Sequence, residues 1–344
     1  MVLGIDDLLP SLAQSLEGIG FLFGAGASRE AGYPMMAQLT RNVVGCLSSA
    51  ERVALDTVLS TAGRVYDDAS ATPNIEELAD FTIAHALNSG EATYQALEER
   101  FRELIVSSLL GVVDPVLDCH IKFFENLQRR TFGLPCTVWV FTTNYDLLLE
   151  TAAAIAGVTL ENGFSGATTR FFDVGQFNQV RGTIDGIRFA PQPRLVVKLI
   201  KLHGSLSWIA KGAQILEQHP GSLGATTPRT IVLPRRRKVM DTLAHPYDLL
   251  FSQVSRVLGT ECRYLISCGF SFGDEHINQT LLLPALRAGK CRLTALCDIE
   301  PVGLSSFKSL PSVSAAFSTS SWKAGSVSDN KTELWKFSAF AAAF

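Results

Sequence analysis

Short apolar runs that end at glycine or polar residues recur along the chain and predict buried strands. Four of them lie at 19–23, 138–142, 195–202 and 264–268, and 292–297 is a fifth candidate. Runs of this length without polar alternation are typical of parallel strands that are covered on both faces. Several lead directly into a turn and then a helical pattern, which indicates an open sheet. We therefore predict an α/β fold with a Rossmann-like parallel sheet and helices on both faces.

Helical spacing dominates the long segment between the first two predicted strands. Thr72 and Pro73, followed by glutamates at 76 and 77, suggest a helix start: a hydroxyl cap, proline at the first position and carboxylates near the positive end. Apolar residues then recur at helical spacing from Tyr94 to Ile105. We predict a helical insertion over about 42–133, packed against the sheet domain.

The other segments are less regular. Residues 157–194 are rich in glycine, phenylalanine and threonine and predict strands and loops, and 209–230 predicts a surface loop. Residues 305–328 are serine-rich and weakly patterned. The pattern therefore leaves the role of a C-terminal extension, 305–344, open.

Composition narrows the class of protein. The 344 residues are 47% hydrophobic and 18% charged, which favours a compact enzyme over a disordered or fibrous chain. The net charge of −3 provides no overall basic field for nucleic acid. One basic run, at 234–238, could contact phosphate, nucleic acid or a partner protein. It lacks the interleaved aromatic residues of a single-strand binder, so direct nucleic-acid binding is not favoured.

Neither the N-terminus nor the cysteines indicate secretion. The first ten residues contain Asp6 and Asp7 and no basic segment ahead of a long apolar run, and no apolar stretch reaches the length of about 18 residues that a membrane span needs. The seven cysteines are scattered without a C-x-x-C pair. We expect reduced thiols, no zinc site and a cytoplasmic protein.

The glycine-rich segment 24–28 (GAGAS) joins the first predicted strand to a helix. Glycine lets backbone amides approach a ligand, and a helix N-terminus attracts phosphate. Arg29 stands where G-x-G-x-x-G has its third glycine, so an ordinary dinucleotide fingerprint does not fit. A phosphate site and a plain strand-to-helix turn both remain open for this segment.

Polar residues follow the second predicted strand at 142–146 (TTNYD), where ligands of open α/β sheets bind. Asn144 and Asp146 could instead cap the next helix. Capping accounts well for Asp146. It accounts less well for Asn144, because a second cap on one helix is redundant.

A histidine ends the third predicted strand. His203 is followed by Gly204, which would leave space for a ligand beside the imidazole ring, and histidine suits a general base near neutral pH. A lone histidine is more often structural, and His276 competes for the same role. It lies in 269–278 (GFSFGDEHIN), where Asp274 is interpreted as a helix cap.

Together these motifs resemble those of the SIR2 (sirtuin) superfamily. Residues 24–28 look like its GAG-x-S loop, 143–146 like its T-Q-N-I-D motif, and 202–205 like its catalytic L-H-G-S motif. Residues 269–278 look like the G-x-S-F-G-D-x-H-I-N segment of the bacterial SIR2-like branch. The resemblance implies that residues 1–304 form an NAD-binding catalytic domain.

The resemblance also implies a set of site residues. Asn144 would orient the nicotinamide ribose and an attacking water, and His203 would act as base on a ribose hydroxyl or on that water. The residues implied to contact NAD, which would be the substrate, are Gly24, Ala25, Gly26, Ser28, Thr143, Tyr145, Asp146, Gly269, Ser271 and Phe272. Asp298, at a late strand end, is a guess for the adenine ribose, and acceptance of NADP stays open.

Two departures separate the chain from the protein deacetylases of the family. It has no pair of cysteines suited to a four-cysteine zinc ribbon, and Met35, Met36 and Ala37 follow Pro34 where those enzymes continue G-I-P-D-F-R. The chain instead looks like the bacterial anti-phage members. These hydrolyse NAD to ADP-ribose and nicotinamide, which starves an infected cell in abortive infection.

The same resemblance implies an oligomer, a partner subunit that supplies the trigger, or both. A HerA-like ATPase, a short Argonaute and a nucleotide-sensing protein are the arrangements that it suggests. Two alternatives to an NAD hydrolase remain. One is a deacylase or ADP-ribosyltransferase that breaks the same bond, and the other is a catalytically silent NAD- or ADP-ribose-binding assembly subunit.

Overall fold

The computed structural model describes residues 1–9, 15–224, 227–233 and 244–344. The basic run at 234–238, for which a phosphate, nucleic-acid or partner contact is predicted, lies outside the described residues. In the part of the chain that is described, no helix is both long and apolar enough to cross a membrane.

A large sheet forms the centre of the molecule. The strands of the described residues are β1 (Ile19–Phe23), β2 (Cys136–Thr142), β3 (Thr159–Glu161), β4 (Phe164–Gly166), β5 (Arg170–Phe172), β6 (Gly182–Asp185), β7 (Arg188–Pro191), β8 (Leu195–Lys201), β9 (Trp208–Lys211), β10 (Gln214–Glu217), β11 (Tyr264–Cys268), β12 (Arg292–Leu296), β13 (Val313–Ala316), β14 (Ser321–Lys323) and β15 (Ser326–Ser328).

The main sheet has the strand order β15-β14-β13-β12-β11-β1-β2-β8-β3. Every neighbouring pair from β13 across to β3 is parallel, and β14 and β15 extend the edge in antiparallel fashion. The five strands that the apolar runs predict are all present as parallel neighbours, so the predicted α/β class is confirmed. Two small antiparallel sheets, β4-β5-β10-β9 and β6-β7, are formed by strands that lie between β3 and β11 in the chain.

Helices connect the strands. The α-helices of the described residues are α1 (Ile5–Leu8), α2 (Ala25–Ser28), α3 (Met36–Gly45), α4 (Ser49–Thr61), α5 (Ile75–Ser89), α6 (Ala92–Leu110), α7 (Asp118–Arg130), α8 (Leu148–Ile155), α9 (Tyr247–Val257), α10 (Glu275–Ile277), α11 (Leu283–Arg287) and α12 (Phe337–Ala343). A π-helical turn, Asn278–Leu282, joins α10 to α11, and short 3-10 helices occur at Val174–Asn178, Pro220–Ser222 and Val302–Phe307.

Helices bury both faces of the sheet. Successive side chains of a strand point to opposite faces, so each strand contributes to both layers. On β1, Phe21 and Phe23 point to the face covered by α7, α8 and α12. Leu22, between them, points to the face covered by α9 and by the helices that follow β11. This explains why the central strands are continuously apolar rather than alternating.

The predicted insertion contains helices of two kinds. Helices α3 to α6 bury their apolar sides mainly against one another, around residues such as Leu55 and Phe101. Helix α7 belongs instead to the layer that covers the sheet. The start of α5 is capped by Asn74, whose side chain accepts bonds from the amides of Glu76 and Glu77, so the sequence prediction of a Thr72 cap was wrong by two residues.

Two weakly patterned segments have regular structure. Within 209–230, predicted as a surface loop, β9 and β10 form a hairpin. In the C-terminal extension, β13 pairs with β12 in the main sheet, and α12 packs its phenylalanines against those of β1 and α7. Strand β13 is only four residues long and made of valine, serine and alanine, so its sequence carries little periodic signal.

Burial of His120 on α7 predicts a pH-dependent stability. Its ring lies 4.4 Å from that of Phe337 on α12, and burial lowers its pKa to about 4, although Asp146 and Glu30 act in the opposite direction. As the pH falls, the imidazole of His120 therefore takes up a proton at a higher pH in the unfolded chain than in the folded chain. We expect the contribution of His120 to the free energy of unfolding to be complete above about pH 6.5 and to fall by about 3 kcal/mol as the pH drops towards 4.

Urea denaturation between pH 4 and 7 measures this effect. His120→Gln, which cannot gain the charge, should flatten the dependence over that window, whereas His219→Gln, at an exposed loop residue, should leave it unchanged. A profile of the same slope in all three proteins would contradict the assignment to His120.

Candidate functional site

The carboxyl ends of β1 and β11 meet where the chain reverses its direction across the sheet. From β1 the chain passes to β2 on one side, and it later returns to place β11 on the other side. Open α/β sheets bind ligands at such a switch point. The turns after these two strands begin with Gly24 and Gly269, so the predicted glycine segments lie side by side.

Three glycines bring the two turns into backbone contact. A Cβ atom on Gly24 would lie 2.6 Å from the carbonyl oxygen of Gly269, and one on Gly26 would lie 2.6 Å from the Cα of Gly269. Gly269 itself has φ +68 and would press a Cβ onto the amide of Ala27. Any side chain would force the turns apart. The close backbone approach that a third glycine of the loop would allow is thus provided by Gly269, in the turn after the neighbouring strand β11.

The glycine loop does not form a long helix N-terminus. Helix α2 is a single four-residue turn, and the amide of Gly26 donates to the carbonyl of Gly269 at 2.9 Å. Because a helix dipole is the sum of aligned peptide dipoles, one turn contributes little of it. The structural role of this loop is to bring Gly24 and Ser28 against the residues that follow β2.

A directed chain of hydrogen bonds fixes Asn144. Its Nδ2 donates to the carbonyl of Gly24 at 2.9 Å and to the Oγ of Ser28 at 2.7 Å, and Ser28 donates onward to Oδ2 of Asp146 at 2.7 Å. The carbonyl of Gly24 can only accept, so the NH2 group of the amide must face it. Both amide hydrogens are therefore used, and Oδ1 accepts no bond from the described residues. Asn144 can offer that oxygen as an acceptor to a hydroxyl or a water.

His203 pairs with a carboxylate from the far side of the switch point. Its Nε2 lies 2.8 Å from Oδ2 of Asp274, and both side chains are almost fully buried. The other oxygen of Asp274 accepts from the amide of Ile277 at 3.0 Å, as the predicted helix cap requires. A carboxylate held in this way fixes the orientation and tautomer of the imidazole. The sequence prediction identified the cap and missed the pairing with His203.

One cavity of about 230 Å³ collects these groups. Of the predicted site residues, those that line it are Gly24, Ala25, Ser28, Thr143, Asn144, Tyr145, Asp146, His203, Gly269 and Ser271. The amide of Asn144 and the ring of His203 thus face a common space. Gly26 and Phe272 are not among the lining residues.

These two residues support the site from behind. Gly26 is in the backbone contact with Gly269. Phe272 is buried in a positive-φ conformation with its ring against Phe270 and Phe307, so its side chain is part of the core of the turn.

The opposite wall comes from residues outside the predicted site. They are the segment after α2, helix α3 and the insertion, contributing Tyr33, Pro34, Met35, Met36, Leu39, Glu76 and Leu109. Three carboxylates, on Glu76, Asp146 and Asp274, face the cavity, and its described lining includes no lysine or arginine. Among the described residues, the lining is therefore mostly apolar, with three acidic side chains.

Comparison with known proteins identifies the segment that holds this site. The family model of the SIR2-like domain matches residues 138–288, which carry Asn144, His203, Gly269 and Asp274. This part of the chain is therefore similar to the SIR2-like domain, as the sequence motifs predict.

Matches outside the family model are remote. A solved structure described as a mutant of Sir2 homologues in complex with 2'-O-acetyl ADP ribose aligns with 98% of this chain and 96% of its own, at 14% identity and a TM-score of 0.44. No curated protein matches the chain at a significant level.

The two tyrosines of the cavity are poor acid–base groups at neutral pH. Burial, then the carboxylates of Asp146 and Glu150, raise the pKa of Tyr33 far above its ordinary value. Burial and then the charge of Glu76 raise the pKa of Tyr145, whose hydroxyl donates to the carbonyl of Val232 at 2.7 Å. Both phenols therefore stay neutral at neutral pH.

A buried ion pair holds the turn that carries Asp146. Nζ of Lys201, at the end of β8, lies 2.9 Å from Oε1 of Glu150 and also donates to the carbonyl of Asp146. Burial raises the pKa of Glu150, and the charge of Lys201 opposes that rise. Removing either partner would leave the other charge buried and unpaired, which is costly.

The competing candidates lie elsewhere. The ring of His276 packs 4.8 Å from that of Phe251, its Nδ1 pairs with the hydroxyl of Thr280 at 3.1 Å, and it does not line the cavity. Asp298 is an exposed residue after β12 and is not a lining residue either. Within the described ranges, no group of three or more histidine, cysteine or acidic side chains is arranged to hold a metal ion.

Substitution of Ser28 tests the hydrogen-bond chain without altering His203. Ser28→Ala removes the acceptor of Asn144 and the donor to Asp146 in a buried setting. We expect the free energy of unfolding to fall by about 1–3 kcal/mol, since two polar groups lose their partner. Ser60→Ala, at an exposed position of α4, should change it by no more than about 0.5 kcal/mol. Chemical denaturation measures both, and equal stabilities would show that the chain of bonds is not formed.

Proposed function

We propose that this SIR2-like domain binds NAD as its substrate and hydrolyses the nicotinamide–ribose bond, giving ADP-ribose and nicotinamide. The observation that supports it most is the cavity that Asn144 and His203 share, with the amide oriented by Gly24 and Ser28. The match to the SIR2-like domain supports NAD as the substrate, because enzymes of the SIR2 superfamily use it.

The charge of the cavity matches that of the reacting group. The nicotinamide ring of NAD is positively charged, and as the bond breaks the charge moves onto the ribose as an oxocarbenium-like centre. Carboxylates that already face this position, on Asp146, Asp274 and Glu76, stabilise positive charge without having to reorganise.

The size of the cavity limits what enters it. At about 230 Å³ it is smaller than the roughly 300–1,000 Å³ of pockets that enclose a drug-sized ligand. We assign it to the nicotinamide–ribose end of NAD. The diphosphate and adenosine would lie outside, across the backbone contact of Gly24 and Gly269 at the switch point.

The chemistry needs one base and one oriented acceptor. The bond between C1′ and the ring nitrogen breaks with its electron pair going to nicotinamide, which leaves as a neutral molecule. Water forms the new bond to C1′ and gives its proton to His203, while Oδ1 of Asn144 accepts a hydrogen bond from that water or from a ribose hydroxyl. With Nε2–H donated to Asp274, the basic electron pair of the ring is on Nδ1.

The biological role is proposed from the motif resemblance. We propose that the enzyme is a cytoplasmic effector of bacterial anti-phage defence that depletes NAD. It would be silent until an oligomer forms or a partner subunit supplies the trigger, such as a HerA-like ATPase, a short Argonaute or a nucleotide-sensing protein. Activity measured with and without such a partner tests this part separately from the chemistry.

Incubation of the purified chain with NAD alone, followed by chromatography of the products, tests the reaction. We expect ADP-ribose and nicotinamide in equal amounts. Asn144→Ala and His203→Ala should each lower turnover by about 10²–10⁴-fold, the usual contribution of a positioned acid–base or orienting group. The matched controls Asn88→Ala and His219→Ala, both at exposed positions, should keep wild-type turnover.

Other outcomes are informative. Cleavage only in the presence of an acyl-lysine peptide or another acceptor would indicate a deacylase or ADP-ribosyltransferase. Binding of NAD without any product, with the chain alone and with a partner, would indicate a silent binding subunit. Turnover that is unchanged in both site variants would contradict the assigned roles.

Asp274→Asn separates the catalytic pairing from the helix cap. Asparagine caps a helix about as well as aspartate, so the stability should change by no more than about 1 kcal/mol. Its amide can turn a hydrogen toward Nε2, which forces the wrong tautomer of His203, and kcat should fall by about 10²–10⁴-fold. The measurement is kcat at several pH values together with thermal unfolding. A variant with normal kcat would leave Asp274 with a capping role alone.

A further inference from the structure

A second cavity, of about 390 Å³, lies between α6 and the segment 227–229. Arginines at 100, 102 and 229 line it, and none of its lining residues belongs to the lining of the active-site cavity. Its volume is within the range of small-molecule sites.

Arg229 is a buried cation without a carboxylate partner among the described residues. It is only 4% exposed, and burial lowers the pKa of its guanidinium. Of the five N–H donors that arginine has, Nη1 donates to the carbonyl of Thr227 at 2.5 Å and Nη2 reaches that of Gly224 only at 3.5 Å. Nε is buried with no partner. A buried charge is costly unless a counter-charge compensates it.

Neighbouring charges do not provide that compensation. Arg102 reaches Glu98 at only 3.8 Å, and its Nε is also buried without a hydrogen-bond partner. The two glutamates in the lining, Glu99 and Glu103, are exposed, and Glu103 is already paired with Arg100 at 2.9 Å. The acidic groups are therefore at the rim, while Arg229 is buried.

We infer that this second cavity binds a phosphate-bearing small molecule, with Arg229 and Arg102 as its donors. Arginine suits phosphate because its planar fork of N–H groups can bond two oxygens at once. The anion would supply the counter-charge that the described residues lack.

The segment that carries Arg229 also contacts the active site. Three residues further on, the amide of Val232 donates to the carbonyl of His203 at 2.9 Å, and the carbonyl of Val232 accepts from Tyr145. Thr230 accepts from the amide of Ser205 at 3.4 Å. An anion that draws Arg229 into the cavity would thus reposition the backbone next to His203, which makes the bound molecule an effector of the proposed hydrolase. Only this last consequence rests on the proposed function.

Calorimetric titration with pyrophosphate and with inorganic phosphate, at constant ionic strength, tests the site. We expect saturable binding of one anion per chain to the wild-type protein. Arg229→Met, which keeps the apolar stem, should weaken it at least tenfold, and Arg102→Met should weaken it several-fold. Arg188→Met, at an exposed position of the β6–β7 hairpin, should leave it unchanged.

Two further measurements keep the result unambiguous. Asn144→Ala should retain pyrophosphate binding, because that residue lies in the other cavity. Loss of binding in Asn144→Ala with retention in Arg229→Met would place the anion in the active-site cavity and overturn the inference. Thermal unfolding without anion should show Arg229→Met at least as stable as wild type, since an uncompensated charge is removed. If that variant fails to fold, the affinity of Arg102→Met decides the matter. Wild-type affinity in Arg102→Met overturns the inference, and so does the absence of saturable binding to the wild-type protein.

Discussion

The backbone contact between the turns after β1 and β11 is the constraint on which the site depends. Gly24, Gly26 and Gly269 leave no room for a side chain between them, and the approach places the Gly24 carbonyl where it can only accept from Asn144. That bond, together with Ser28, decides which end of the amide faces the cavity. A backbone contact with no chemistry of its own thereby determines which end of the Asn144 amide faces the cavity.

The other half of the site comes from residues that follow the ends of neighbouring strands. Strand β8 ends next to β2, so His203 arrives beside the residues that follow Thr142, and the turn after β11 brings Asp274 to it from the opposite side. Lys201 stabilises the turn that carries Asp146 by donating a hydrogen bond to the carbonyl of that residue. Each functional side chain therefore has a partner from a different strand, and the parallel order of the sheet brings those strands to one edge.

The sequence predicts the part of this arrangement that is local. Apolar runs locate the central strands, and the polar residues at their ends locate Asn144 and His203, because a strand end is a property of a short segment. The pairing of His203 with Asp274 spans 71 positions and depends on strand order, which no local pattern encodes. The wall to which Leu39 and Leu109 contribute is missed for a related reason: apolar residues on a helix predict burial without specifying what they pack against. The motif around Phe272 is polar and glycine-rich and predicts a ligand contact, whereas the burial of its own side chain depends on the tertiary fold.

The last helix has a consequence for how the protein is made. Ser338, at the start of α12, bonds through its amide and hydroxyl to both carboxylate oxygens of Glu30, two residues beyond the serine that orients Asn144. Phe337 and Phe340 complete the layer over β1. The first strand of the sheet thus stays partly uncovered on the ribosome until residues more than three hundred positions later have been synthesised. Contacts of such long sequence separation form late and slowly. A nascent chain would therefore complete the layer over β1, beside the proposed site, only after translation has passed this helix.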